Sequence, residues 1–70
     1  MIKFIRQYKF YGSDWFDIIY TDGKYITRVR TCLADDLPKT AQEYIKNAVA
    51  TEVRKTRYES EYIYERSEGV

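Results

Sequence analysis

The side chains of this chain best equipped for chemistry are arginine, lysine, tyrosine and tryptophan. The sequence has 12 Lys+Arg, 8 Tyr, 3 Phe and 1 Trp, but no histidine and one cysteine. Without histidine the commonest general base is missing, and with it any Ser-His-Asp or Cys-His arrangement. One cysteine forms no internal disulfide and no zinc site of the usual Cys/His kind. Cys32 ends a strand-like run, so it reads as a small, half-buried hydrophobe, and its unpaired thiol fits a reducing, cytoplasmic setting. Asp35-Asp36 is the closest carboxylate pair, but no further ligands converge on it, and with Pro38 behind it reads as a solvated turn. Gly12, Gly23 and Gly69 are scattered and build no phosphate-binding loop. The expectation is a chain that is not an enzyme and has no cofactor or metal site; what remains is arginine beside large aromatics, the composition of binding surfaces.

A chain of 70 residues has room for one domain. At that length folding hides only about 60% of the surface the unfolded chain exposes, too little for a core and a deep active-site cavity together. An aromatic content of 17% argues for a folded domain even with 33% charged residues. Charges within Met1-Ile2-Lys3-Phe4-Ile5-Arg6 make this stretch neither a signal peptide nor a membrane span.

The elements that must carry the binding residues follow from periodicity and turn chemistry. Residues 2–33 alternate as strands. Asp22-Gly23 predicts a two-residue hairpin turn, and Gly12-Ser13-Asp14 a three-residue one. The expected sheet is a three-stranded antiparallel meander over about 2–11, 15–21 and 24–33. A connector follows at 34–38. Thr40 and Glu43, at capping-box spacing behind Pro38 and Lys39, open a helix. Ala41, Tyr44, Ile45, Ala48, Val49 and Val53 give that helix one apolar face to lay on the sheet. With no Gly, Pro or Asn in 48–66, the helix extends to about Glu65, aided by Lys55–Glu59 and Arg57–Glu61 pairs; residues 67–70 form a frayed tail. The expected fold is α+β: a three-stranded meander and one long C-terminal helix on one sheet face. The alternative stops the helix near Thr56 and makes a fourth strand at 58–65, because a helix to 65 spans roughly 39 Å and overshoots strands of about 27–33 Å.

Register decides which side chains share a face. A two-residue turn at Asp22-Gly23 puts Phe16, Ile18 and Tyr20 with Tyr25, Thr27 and Val29 on the core side. It pairs Trp15 with Arg30, Asp17 with Arg28, and Ile19 with Ile26 outside. A three-residue first turn adds Phe4, Tyr8 and Phe10 to the core, and Lys3, Gln7, Lys9 and Tyr11 to the outer face. Lys9, Asp17 and Arg28 then form one cross-strand ladder, and Tyr11, Trp15 and Arg30 another. Arg6 on the core face and Glu52 in the helix stripe predict an ion pair from sheet to helix.

Two candidate surfaces result. The outer sheet face offers Lys9, Tyr11, Trp15, Ile19, Ile26, Arg28 and Arg30, suited to protein hot-spot contacts or to phosphate contact and base stacking. The C-terminal segment offers Tyr58, Glu61, Tyr62 and Glu65, an acidic, tyrosine-rich strip suited to protein contact. The formal charge of +1 divides unevenly: residues 1–30 hold six bases and three acids (+3), and residues 31–70 six bases and eight acids (−2).

In overall character, with abundant tyrosine and a Tyr/Glu tail from Tyr58 to Glu68, the chain resembles small phage-encoded inhibitors that bind and block host machinery, anti-CRISPR proteins among them. That resemblance implies a non-catalytic inhibitor or modulator acting on a host protein in the host cytoplasm. The order strand–strand–strand–helix, with Asp22-Gly23-Lys24 at a hairpin and Pro38–Glu43 opening the helix, resembles the three-stranded DNA-reading domains of phage integrases and AP2-type factors. That second resemblance implies nucleic-acid binding through Lys9, Trp15, Arg28 and Arg30. The near-neutral charge and Asp17 amid that face favour the protein-binding reading. Self-association through Tyr58, Tyr62 or Ile63 is a further expectation; membrane association is not.

Overall fold

The structure, a computed structural model, describes residues 1–32 and 36–66. Five strands and one helix follow one another: β1 (Ile2–Phe10), β2 (Ser13–Thr21), β3 (Ile26–Thr31), α1 (Lys39–Lys46), β4 (Ala48–Lys55) and β5 (Glu59–Arg66). The strands form one sheet in the order β3-β2-β1-β5-β4, with every neighbouring pair antiparallel. The N-terminal strand is therefore central, and the link from β3 to β4 carries α1 from one sheet edge to the other. This corrects the expected meander with a long helix.

The helix stops after eight residues, about 12 Å. Asn47 ends it: its backbone N–H reaches the carbonyls of Glu43 (3.3 Å) and Tyr44 (3.2 Å), and its side-chain amide donates to Glu43 O at 3.0 Å. The expected capping box does not form; Pro38 is the N-cap, without a side-chain cap bond. Beyond Asn47 the pattern reads equally well at a period of two, with Val49, Thr51 and Val53 β-branched. The hairpin turns without glycine because Thr56 closes it: its N–H donates to Glu59 O at 2.7 Å, and its hydroxyl accepts from Glu59 N at 3.0 Å. β5 then occupies the free edge of β1, from Ile5 opposite Tyr64 to Phe10 opposite Glu59. The fourth-strand alternative at 58–65 thus matches β5, while residues 48–55 form a strand that neither reading anticipated. The Lys55–Glu59 and Arg57–Glu61 helix pairs are replaced by Arg54–Glu59 at 3.4 Å and Arg6–Glu61 at 3.5 Å.

Both early turns differ from expectation by amounts that matter. The first is a two-residue loop, Tyr11-Gly12, with both φ angles positive (50° and 84°), the geometry that matches strand twist. Phe10 pairs with Ser13, so Ile5 faces Ile18 and Gln7 faces Phe16. One residue fewer in the loop exchanges the two faces of β1. Phe4, Tyr8 and Phe10 leave the core side, and Lys9 joins it. The second turn spans four residues, because Asp22 Oδ1 accepts from both Lys24 N and Tyr25 N at 2.8 Å. Pairing shifts by two residues, which preserves the faces but sets Asp17 opposite Arg30 and Ile19 opposite Arg28. Tyr25, expected in the core, is exposed in the loop.

α1 lies on one face of the sheet. The core there is Ile5, Phe16 and Ile18 from the sheet with Leu37, Ala41 and Tyr44 from the helix region. Full burial of Ile5 and Ile18 contributes about 1.5–3 kcal/mol each. The Tyr44 hydroxyl donates to Lys3 O at 2.9 Å and accepts from Arg66 N at 3.1 Å, pinning α1 across β1 and β5. Of the predicted helix stripe, Val49 and Val53 are exposed strand residues. Cys32 is exposed, not half-buried. Residues 33–35, which include Asp35 and the start of the expected connector, and the expected tail 67–70 lie outside the described residues.

Candidate functional site

The sheet face opposite α1 carries no helix or strand of the described residues. Register builds it in cross-strand rows. One row runs Arg30, Asp17, Arg6, Ile63, Thr51; a second runs Trp15, Tyr8, Glu61, Arg54. Arg28 and Ile19 stand level with Phe4. Phe4, Tyr8, Trp15, Ile19 and Ile63 are half-buried here without any element above them.

The charges on this face are largely spent on one another. Asp17 is 1% exposed, and its Oδ1 accepts from Arg30 Nε at 3.0 Å. The Arg30 guanidinium also lies 5.9 Å from the Tyr8 ring centroid. Its pKa is pushed above the ordinary value, first by the Asp17 hydrogen bond and then by that carboxylate's charge. Arg6 Nε stands 3.5 Å from Glu61 Oε2, an ion-pair distance without hydrogen-bond alignment, since Arg6 Nε is buried with no acceptor. Arg6 therefore belongs to Glu61, not to Glu52, which sits in β4 on the other side of the sheet. Arg28 and Glu65 carry no ion pair among the described residues and are exposed.

Of the outer-face set expected from sequence, Trp15, Ile19, Arg28 and Arg30 do share this face, with Ile26 at its β3 edge and 64% exposed. Lys9 is on the helix side, 4.0 Å from Asp14, because the first loop is one residue shorter. Tyr11 sits in that loop, its ring stacked on Tyr58 at 5.3 Å and 10° and its N–H donating to Tyr58 O at 3.0 Å. The C-terminal set separates likewise: Glu61 and Glu65 belong to the open face, Tyr62 to the helix side, and Tyr58 to the β4–β5 turn. The expected ladders Lys9–Asp17–Arg28 and Tyr11–Trp15–Arg30 do not form. Phe4, Tyr8 and Ile63 are members that sequence reasoning missed. Closing the first loop on Tyr11-Gly12 would have found Phe4 and Tyr8, since it sets Ile5 rather than Phe4 beside Ile18.

Among the described residues, no group of three His, Cys, Asp or Glu side chains is placed to hold a metal ion, and no helix is long and apolar enough to cross a membrane. Comparison of the chain with protein-family models, with curated proteins and with solved structures finds no match.

Proposed function

We propose that this chain is a non-catalytic protein-binding module, an inhibitor or modulator that docks on another protein through its open sheet face. One observation carries the reading: among the described residues the sheet is covered by a helix on one side only, and the other side presents half-buried aromatic and aliphatic side chains among internally paired charges. Arg30 and Arg6 are already committed to Asp17 and Glu61. A phosphate backbone would have to compete with those carboxylates, whereas a protein surface needs only to desolvate the apolar rows. The unpaired Arg28 at one margin and Glu65 further across define the partner's chemistry. It presents an apolar centre with a carboxylate toward Arg28 and a cation toward Glu65. A host protein as target is the form of this reading that the likeness to phage inhibitors supplies.

The test is affinity capture followed by binding of the purified partner to the wild-type chain and to Trp15→Ala, Arg28→Glu and Tyr62→Ala variants. A partner that binds wild type and Tyr62→Ala but is lost by more than tenfold on Trp15→Ala or Arg28→Glu supports the open face. Retention by Trp15→Ala and Arg28→Glu refutes it. Sedimentation of the isolated chain adds a second arm: a dimer that dissociates on Ile63→Glu makes the occupant a second copy and overturns the reading of a different partner.

A further inference from the structure

The short helix leaves half of its own face bare. α1 extends about 12 Å, whereas strands of eight or nine residues extend about 27–30 Å. Over β1, β5 and β4, toward the Tyr11 and Tyr58 turns, the uncovered part is an open groove of about 820 Å³. Tyr62 and Tyr64 lie along its floor, with the small Ala50 opposite Tyr64 in register and one side of Tyr64 packed against the core. Two residues apart on one strand, the two tyrosines repeat at about 6.8 Å. The stacked pair Tyr11–Tyr58 closes one end.

The polar groups of the groove are mostly donors. Lys9, Lys55 and Arg57 line it; Lys9 also stands 4.0 Å from Asp14, and of the lining residues that the structure describes Glu59 alone is acidic. Glu59 is held by Arg54 at 3.4 Å. Glu52 stands opposite Tyr62 in register but is not part of the lining. Lys55 and Arg57 have no acidic partner among the described residues, and Arg57 lies over the Tyr58 ring at 5.4 Å. Gln7 accepts the Tyr64 hydroxyl through Oε1 at 2.7 Å, which leaves its amide N–H groups available. Phenol rings at a regular spacing, bordered by unpaired cations and amide donors, match bases that stack and phosphates that need neutralising. A proline-rich peptide would fill the aromatic floor but leave the cations unanswered.

The geometry points to this groove as a binding site for single-stranded nucleic acid, with bases on Tyr62 and Tyr64 and phosphates on Lys55, Arg57 and Lys9. The site lies on the opposite side of the sheet from the proposed protein-docking face and is independent of it. Fluorescence anisotropy of a labelled oligothymidine across a salt series tests it on the intact chain. Three phosphate contacts on a single strand predict a slope of log K against log salt of about −2. Lys55→Gln with Arg57→Gln, both exposed and harmless to folding, should remove about 1.4 of that slope. Tyr62→Ala should weaken binding about 5- to 150-fold, and Tyr62→Phe should leave it intact. Lys24→Gln, which removes an exposed cation in the β2–β3 turn away from the groove, should leave oligothymidine binding unchanged. The site is refuted by the absence of salt-sensitive binding at low salt, or by binding that ignores both the Tyr62→Ala and the double-cation variant. Loss on Lys24→Gln would equally refute it, as would saturable binding of an uncharged proline-rich peptide that shifts the Tyr62 resonances without any oligothymidine binding.

Discussion

Removing the hydroxyl of Tyr44 isolates the contact that ties the helix to two strands at once. In Tyr44→Phe the ring remains in the core, where Tyr44 is 7% exposed, so packing is conserved. Two hydrogen bonds disappear: the one donated to Lys3 O at 2.9 Å and the one accepted from Arg66 N at 3.1 Å. Each is worth about 0.5–1.5 kcal/mol net. Lys3 and Arg66 are exposed residues, so water recovers part of the loss, and the expected cost is about 1–2 kcal/mol. In a domain of this size that lowers Tm by about 4–16 °C. Urea unfolding should show a reduced midpoint at unchanged slope, and amide exchange at Arg66 should accelerate in the folded state. The Arg66 readout bears directly on topology, because a helix continuing to residue 65 would carry Arg66 far from Tyr44. A stability change under 0.5 kcal/mol together with an unaltered Arg66 amide would refute both the bond and the placement of β5 beside β1.

Alkaline pH should destabilise the fold through Tyr64. Burial, and secondarily the charge of Tyr62, raise its pKa above the ordinary 10.0, so the native state holds its proton longer than the unfolded chain does. That contribution is complete below about pH 10 and is lost as pH rises through the folded value. Urea midpoints measured from about pH 9 to 11 should fall, and the fall should be shallower in Tyr64→Phe; equal slopes in the two proteins would disprove this. The reassigned ion pair gives a separate test. Reversing Arg6 or Glu61 alone should cost no more than about 1 kcal/mol, as suits a partly exposed pair. Exchanging the two should restore stability in a double-mutant cycle, whereas Arg6→Glu with Glu52→Arg should not. Rescue by the Glu52 exchange would overturn the register of β1.

The first half of the chain was largely legible because its signals are local. Alternation located β1 to β3, and the side-chain direction of Phe16, Ile18 and Thr27 survived a shift of two residues between β2 and β3. The faces of β1 did not survive, since they depend on whether one residue, Tyr11, sits inside the loop or in the strand. Tyr11 adopts a left-handed φ of 50° that its side chain disfavours by about 1 kcal/mol, and it is held there by partners on Tyr58, 47 positions away in the chain. No local rule points to that. The helix end was readable in principle, from Asn47, one position before the run 48–66 that holds no Gly, Pro or Asn. The Thr56 turn was not, because a hydroxyl replaces the glycine that usually marks a hairpin.

Composition and short-range pattern were enough to establish a small chain lacking the histidine and cysteine sets of common catalysis, with a sheet-forming first half and a helix starting near Pro38. Those properties depend on residue type and on contacts a few positions apart. The conformation of residues 48–66 was decided elsewhere, since Ala, Val, Glu, Tyr and Arg in that order satisfy a helical and an extended period about equally. The free edge of β1, with a row of backbone groups to pair, tips the balance toward strands. The same event defines the candidate surfaces. Inserting β5 beside β1 delivers Ile63 and Glu61 to the open face and Tyr62 and Tyr64 to the groove, so neighbouring residues of one segment serve opposite sides of the molecule.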